Sequence, residues 1–258
     1  MTPTQNAPRT ARERARAELT REITEEARRQ LAAVGANGLS LRAVARELGM
    51  VSSALYRYYP SRDDLLTALI IDAYNAIGEA AETAIAGASP DTGPGARPGS
   101  ARARWLAACH AIRAWAIDHP HEYTLIYGSP VPGYRAPEAT IGPAARVPLA
   151  FVGVLAAAIA SGEIAAADSP AADAPADAPA GELAEQAAAL SAALSLDPSA
   201  PGAALVPPDL LVRSVAAWTQ LFGLISFELF GQFVGSFDPA DAFFAHTIAQ
   251  SATLVGLP

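Results

Sequence analysis

Residues 39–66, LSLRAVARELGMVSSALYRYYPSRDDLL, decide how the chain is read. Ser40 precedes a run in which Leu41, Val44, Ala45 and Leu48 recur at helical spacing and share one face. A serine there accepts from the free N–H groups of a first turn. Gly49 suits the turn that must end this helix. A second short helix is expected over about 52–58, stopped by Pro60. Ser61-Arg62-Asp63-Asp64 then reads as a cap with acids in the first turn. The longer helix it opens runs through Leu65, Leu66, Leu69, Ile70 and Ala73 to about Gly87.

The pattern extends in both directions. Upstream, residues 1–19 read as a flexible tail and the start of a helix, which carries Ile23, Ala27 and Leu31 at four-residue spacing and ends at Gly35 and Gly38. Downstream, a Pro/Gly loop at 88–100 leads to a helix with Trp105, Ile112 and Trp115 that ends at His119-Pro120. An apolar helix follows near 140–161, and an Ala-rich one near 182–194. The last two helices are expected at about 209–236 and 239–256, with Asp238 as cap and Pro239 as first residue of the second. Residues 165–181, with Asp-Ala-Pro repeated, lack the large apolar side chains that offset ordering entropy, and disorder is expected there and in part of 195–208. No strand is expected. The fold class is all-α: a helix-turn-helix domain over 20–66 and a larger helical domain over 67–258.

Composition narrows the function. Hydrophobic residues make up 51% and charged residues 17%, which is globular rather than disordered. The chain has no Lys, so all 18 basic residues are Arg. The net charge of −8 is unevenly placed: residues 1–62 carry +5 and the remainder −13. A basic end on an acidic body suits contact with a polyanion, or an Arg-rich face held in water. One cysteine, Cys109, rules out an internal disulfide and fits a reducing, cytoplasmic setting. The N-terminus has no apolar core of a signal peptide. The most apolar stretch, 214–237, carries Gln220, Glu228 and Gln232 and reads as a buried helix, not a membrane span.

Two short helices separated by a glycine turn and braced on both sides make a unit that reads DNA. The first crosses the phosphate backbone and the second enters the major groove. Short helix pairs also occur in helical proteins that bind no DNA. The order of residues goes further. Leu39-Ser40-Leu41-Arg42, Ala45, Leu48-Gly49, Leu55-Tyr56, Tyr58-Tyr59, Arg62 and Leu65-Leu66 together resemble the TetR family of bacterial repressors over about residues 20–70.

That resemblance implies a set of DNA contacts. Ser40 would hold a phosphate at a helix N-terminus. Arg42 would meet backbone or a base edge, and Ser52, Ser53, Ala54, Arg57 and Tyr58 would face the major groove. Tyr56 would donate to a phosphate, and Arg62 would be a second clamp. Arg57 is chemically the best base reader, since a guanidinium bonds two acceptors of guanine. Family members often carry His where Tyr58 stands.

Residues 218–229, WTQLFGLISFEL, resemble a subgroup of the family named for a Trp-His-Gly signature, with Phe222 in the His position; residues 119–134 are similar to it as well. The resemblance implies dimerisation through the last two helices and an effector pocket among the central ones. Trp105, Trp115, Tyr123, Tyr127, Phe151, Trp218, Phe222 and Phe227 are either core or pocket. Glu228, an acid in an apolar helix, needs a structural partner or a ligand. Gly231 and Gly235, four apart, permit close helix contact. The expected partners are thus double-stranded operator DNA, an apolar or amphipathic small-molecule effector and a second copy of the chain, with no membrane, metal or cofactor.

Two rival readings stand beside this one. Cys109-His110 and His119-x-His121 hold thiol and imidazole groups, but adjacent helical residues point apart and a zinc site needs about four ligands. No catalytic residue is assigned. The nearer rival is a helical binding protein whose DNA head is vestigial.

Overall fold

The computed structural model describes residues 11–88, 99–164 and 179–258. Within them lie ten α-helices and no strand: α1 (Ala11–Gly38), α2 (Leu41–Glu47), α3 (Ser52–Leu55), α4 (Arg62–Gly87), α5 (Ala101–Asp118), α6 (Pro120–Tyr127), α7 (Ile141–Ala160), α8 (Glu182–Leu196), α9 (Pro208–Leu229) and α10 (Asp241–Leu254). The fold is all-α. Residues 1–10 and 165–178, where a flexible tail and disorder were expected, lie outside the described residues.

The chain forms two compact units. The first takes the described residues up to Tyr74 together with 119–141, and the second takes the described residues of 75–118 and 142–258. The first compact unit thus extends beyond the stretch 20–66 expected for the helix-turn-helix domain. Long-range contacts explain the difference: Leu125, Ile126, Val131 and Tyr134 pack against the head core of Ile23, Ala27, Leu41, Val44, Leu55, Leu65 and Leu69. The Tyr74 hydroxyl donates to the Ile126 carbonyl at 3.3 Å, and Thr67 and Tyr134 share a hydroxyl–hydroxyl bond of 2.9 Å.

Helix α6 was not foreseen. Pro120 reads as a stop for α5, but it also sits in the first turn of α6, where a missing N–H costs nothing. Within α1, Gly35 leaves helical geometry at φ 70°, ψ 173°, so the chain bends before α2.

In the second unit Trp105 is buried, packs on Phe151 at 4.5 Å and donates its indole N–H to Ser251 at 3.3 Å. Arg102 fastens the C-terminal end, donating to the carbonyls of Ala249 and Leu257 at 3.1 and 2.9 Å. Arg146 clasps Glu82 through two bonds of 2.9 and 2.6 Å. Arg113 bonds Glu228 at 2.7 and 2.5 Å and Asp241 at 2.9 Å, and lies over the Phe244 ring. The paired carboxylates hold the Arg113 guanidinium even more firmly protonated than usual.

Helix α9 ends at Leu229, earlier than the expected 236. Gly231 and Gly235 adopt φ of 72° and 79°, a region closed to most side chains. Gln232 N–H bonds the Phe227 carbonyl and Gly231 N–H that of Glu228, the paired bonds of a glycine-terminated helix. These two glycines are turn residues and not a helix-packing seam. The stretch 197–207, expected to include disorder, holds an Asp197–Ser199 turn and a 3-10 helix, Ala203–Leu205, with Ala200, Ala203 and Val206 buried. Small side chains pack closely there, and composition alone does not reveal it.

Helices α7 and α9 are each long and apolar enough to cross a membrane by length and composition. Each buries one face in the second unit, through Val147, Phe151 and Leu155 on α7 and Leu211, Leu221 and Ile225 on α9. Core helices of this kind satisfy the same length test.

Candidate nucleic-acid interface

The helix-turn-helix is built as its sequence directs. Ser40 Oγ accepts from Ala43 N–H at 3.4 Å and caps α2. Such a cap contributes about 1 kcal/mol. Gly49 takes φ 65°, and the chain closes with Gly49 N–H on the Arg46 carbonyl and Met50 N–H on that of Ala45. Gly49 is thus the left-handed residue the turn requires. Helix α3 is shorter than expected: regular helix stops at Leu55, and Tyr58 and Tyr59 N–H both bond the Leu55 carbonyl. Ser61 caps α4 by accepting from Asp64 N–H at 3.1 Å while its hydroxyl donates to the Asp64 carboxylate.

The structure brings the expected DNA residues together on this unit. Arg42, Ser53, Tyr56 and Arg57 are exposed, and Ser40, Ser52, Ala54 and Tyr58 are partly covered. Leu48 and Leu55 pack toward the core instead. Arg42 and Arg57 have no ion-pair partner among the described residues. Arg62 is differently placed. It donates to the carbonyls of Ala36 at 2.7 Å and Leu39 at 3.2 Å, and its third contact is Asp63. It ties the α1–α2 connection to the start of α4.

Arg16 was missed from sequence. Its guanidinium lies 5.6 Å from the centre of the Tyr58 ring, within cation–π range. The signal was helical phase: Arg12, Arg16, Leu19 and Ile23 follow one face of α1, so the face that is apolar inside the head becomes basic upstream of it.

The second unit contains a cavity of about 250 Å³ among α7, α8 and α9. Of the aromatic residues singled out from sequence, Phe151 and Trp218 line it. Trp105 is spent on the core, and Phe227 is 54% exposed. Tyr123 and Tyr127 belong to the first unit, where their tilted rings lie 5.3 Å apart between centres and burial pushes the pKa of the Tyr127 hydroxyl up. Trp115 and Phe222 are buried to about nine-tenths and are not among the lining residues. Glu228 is held by Arg113. Cys109 is buried, burial pushes its thiol well above the ordinary range, and the neighbouring His110 ring lies tilted against Phe244, with ring centres 5.6 Å apart. No group of three or more metal-ligating side chains occurs among the described residues.

Comparison with known proteins agrees with this architecture. Residues 23–69 match the family model described as bacterial regulatory proteins, tetR family, and residues 105–251 match the tetracyclin repressor-like C-terminal domain. The chain is 47% identical over 155 residues to the HTH-type transcriptional regulators Mb1846 of Mycobacterium bovis and Rv1816 of Mycobacterium tuberculosis. Each match covers 58% of this chain and 61% of the relative. The crystal structure of the protein SCO4313 is 34% identical, covers 95% of this chain and 98% of its own, and superposes with a TM-score of 0.66. With its helix-turn-helix head and the helical domain that follows, the chain belongs to the TetR family of transcriptional regulators.

Proposed function

We propose that the protein is a cytoplasmic, homodimeric repressor that binds a two-fold-symmetric operator and is released from it by a small molecule. The observation that carries the reading is the α2–α3 surface. Arg42, Ser53, Tyr56 and Arg57 stand exposed on one glycine-turned helix pair, with both arginines free of protein partners among the described residues. Arg57 reads a base edge and Arg42 meets backbone or base. Arg16, beside Tyr58, extends the basic surface along α1. Arg62 serves as a positioning residue rather than a phosphate clamp.

Dimerisation is supported by the outer face of α9. Val215, Thr219, Gly223, Phe227 and Phe230 recur along it and are all exposed. Soluble monomers rarely leave such an apolar stripe uncovered, and Gly223 lets a second helix approach closely. Two-fold pairing of the heads then fixes half-sites about 34–36 Å apart. Helix α4 supports ligand control, because it begins beside the helix-turn-helix and continues unbroken into the second unit beyond Tyr74. A ligand that binds the DNA-free form more tightly must weaken DNA binding by the same factor.

A mobility-shift titration on the promoter beside the protein's own gene tests this reading. Saturable binding that resists competitor DNA and derepression in a promoter–reporter strain lacking the gene are the expected results. Equal affinity for every duplex would remove the operator claim, and light scattering that gives a monomer with and without DNA would remove the dimer.

A further inference from the structure

We infer that the cavity among α7, α8 and α9 receives a neutral, compact, mostly apolar molecule carrying a hydrogen-bond acceptor, and that the indole N–H of Trp218 recognises that acceptor. The inference rests on the ligand-controlled reading above and adds the chemical class of the ligand.

Three observations carry it. The first is charge. The lining comes from Pro148, Leu149, Phe151 and Val152 on α7, from Leu190 and Leu194 on α8, and from α9, and it includes no Asp, Glu, Arg or His. A charged ligand would lose its hydration and gain no counter-charge, so the cavity selects against ions. The second is an unmet donor. Trp218 forms part of the wall, and its indole nitrogen is shut off from solvent with no acceptor among the described residues. Buried indole N–H groups ordinarily find a partner, and leaving one unmet is costly. Ser214 is the other polar residue of the wall. The third is the cover. Helix α8 buries only Ala187, while Leu190, which lines the cavity, is 40% exposed. Val215, also in the wall, is 44% exposed, so the cavity is open to solvent along this edge and the ligand has a way in.

Size limits the ligand further. A cavity of about 150 Å³ takes a benzene ring, so by proportion this one takes about ten non-hydrogen atoms. A small aryl or cycloalkyl ketone, ester or lactone has that shape. Fatty acids, phosphorylated metabolites and ammonium drugs do not.

The probes are acetophenone, α-methylstyrene and benzoate, which share one shape and differ in the acceptor and the charge. They are titrated into the full chain by calorimetry, with the indole N–H resonances followed by NMR. We expect acetophenone to bind about five- to tenfold more tightly than α-methylstyrene, the usual worth of one neutral hydrogen bond, and benzoate not to bind. Trp218→Phe should abolish the preference while keeping α-methylstyrene affinity, and the Trp218 indole proton should move downfield with acetophenone alone. If that variant does not fold, sequential assignment identifies the resonance in the wild type. Equal affinities for the two neutral probes, binding of benzoate, no binding of either neutral probe, or an indole proton already at its hydrogen-bonded position without probe would each overturn the inference. The last result would mean that a second copy supplies the acceptor. Operator affinity is measured in the same samples. Probe binding in the expected order with unchanged operator affinity leaves the cavity assignment standing and removes the ligand-control reading.

Discussion

The Arg62 guanidinium sits 2.7 Å from the Ala36 carbonyl, bridging a sequence separation of 26 residues between the end of α1 and the start of α4. A second bond, to Leu39, closes the same staple. Hydrogen bonds from a charged group to backbone contribute about 1.5–3 kcal/mol when partly shielded. Arg62→Ala is therefore expected to lower stability by about 2 kcal/mol, read as a shift in urea midpoint. If Arg62 positions rather than clamps, the salt dependence of DNA binding stays at the wild-type slope. A flatter slope with unchanged stability would restore the phosphate-clamp reading.

Arg57→Ala is expected to cost about 1–3 kcal/mol on the operator and to relax base preference at one position of each half-site. Arg16→Gln should behave differently. It should weaken all duplexes alike and reduce the log–log salt slope by about 0.9 for each phosphate that is no longer neutralised by a protomer. Fluorescence anisotropy across a salt series separates the two. Identical behaviour of the two variants would mean that the division between base and backbone contacts is misplaced.

The Arg113–Glu228 pair is largely buried, with side chains 12% and 21% exposed. Removing Glu228 leaves the Arg113 guanidinium with only the exposed Asp241 carboxylate as counter-charge. The expected cost of Glu228→Ala is about 2–3 kcal/mol, between the small worth of an exposed pair and the about 3–5 kcal/mol of a fully buried one. Replacing both, Arg113→Met with Glu228→Leu, should recover part of the loss. A double variant less stable than either single would show that Arg113 acts mainly through Asp241 and Phe244.

Burial holds the Cys109 thiol protonated well beyond neutral pH. The native protein should resist aromatic disulfide reagents at pH 8, and the thiol should react fully once the chain is unfolded in guanidinium. Fast labelling of the native state would place Cys109 at an accessible site.

Much of the head was legible in the sequence because its signals are local. Ser40 caps, Gly49 turns, and Leu41, Val44 and Leu55 keep helical phase within a few residues. The part that α6 and the loop after it add to the head was not legible, since Leu125 and Tyr134 meet it across more than fifty residues and Pro120 looks like a stop. The lining of the cavity was legible only in part, through Phe151 and Trp218. Aromatic size drew attention to Trp105 and Tyr123, which the core consumes. Leu190 and Leu194, on an Ala-rich helix, are part of the wall. Their spacing from Leu183 and Ala187 was the available signal.

The most direct test of the central claim is footprinting of bound DNA across the genome, followed by titration of the best-enriched duplex against a scrambled one. We expect a site with two-fold symmetry, one dimer per duplex, and affinity for it at least a thousandfold above the scrambled sequence, roughly the lower bound for specific recognition. Enrichment without a shared symmetric site, together with equal affinity for both duplexes, would contradict the assignment of operator recognition to α2 and α3.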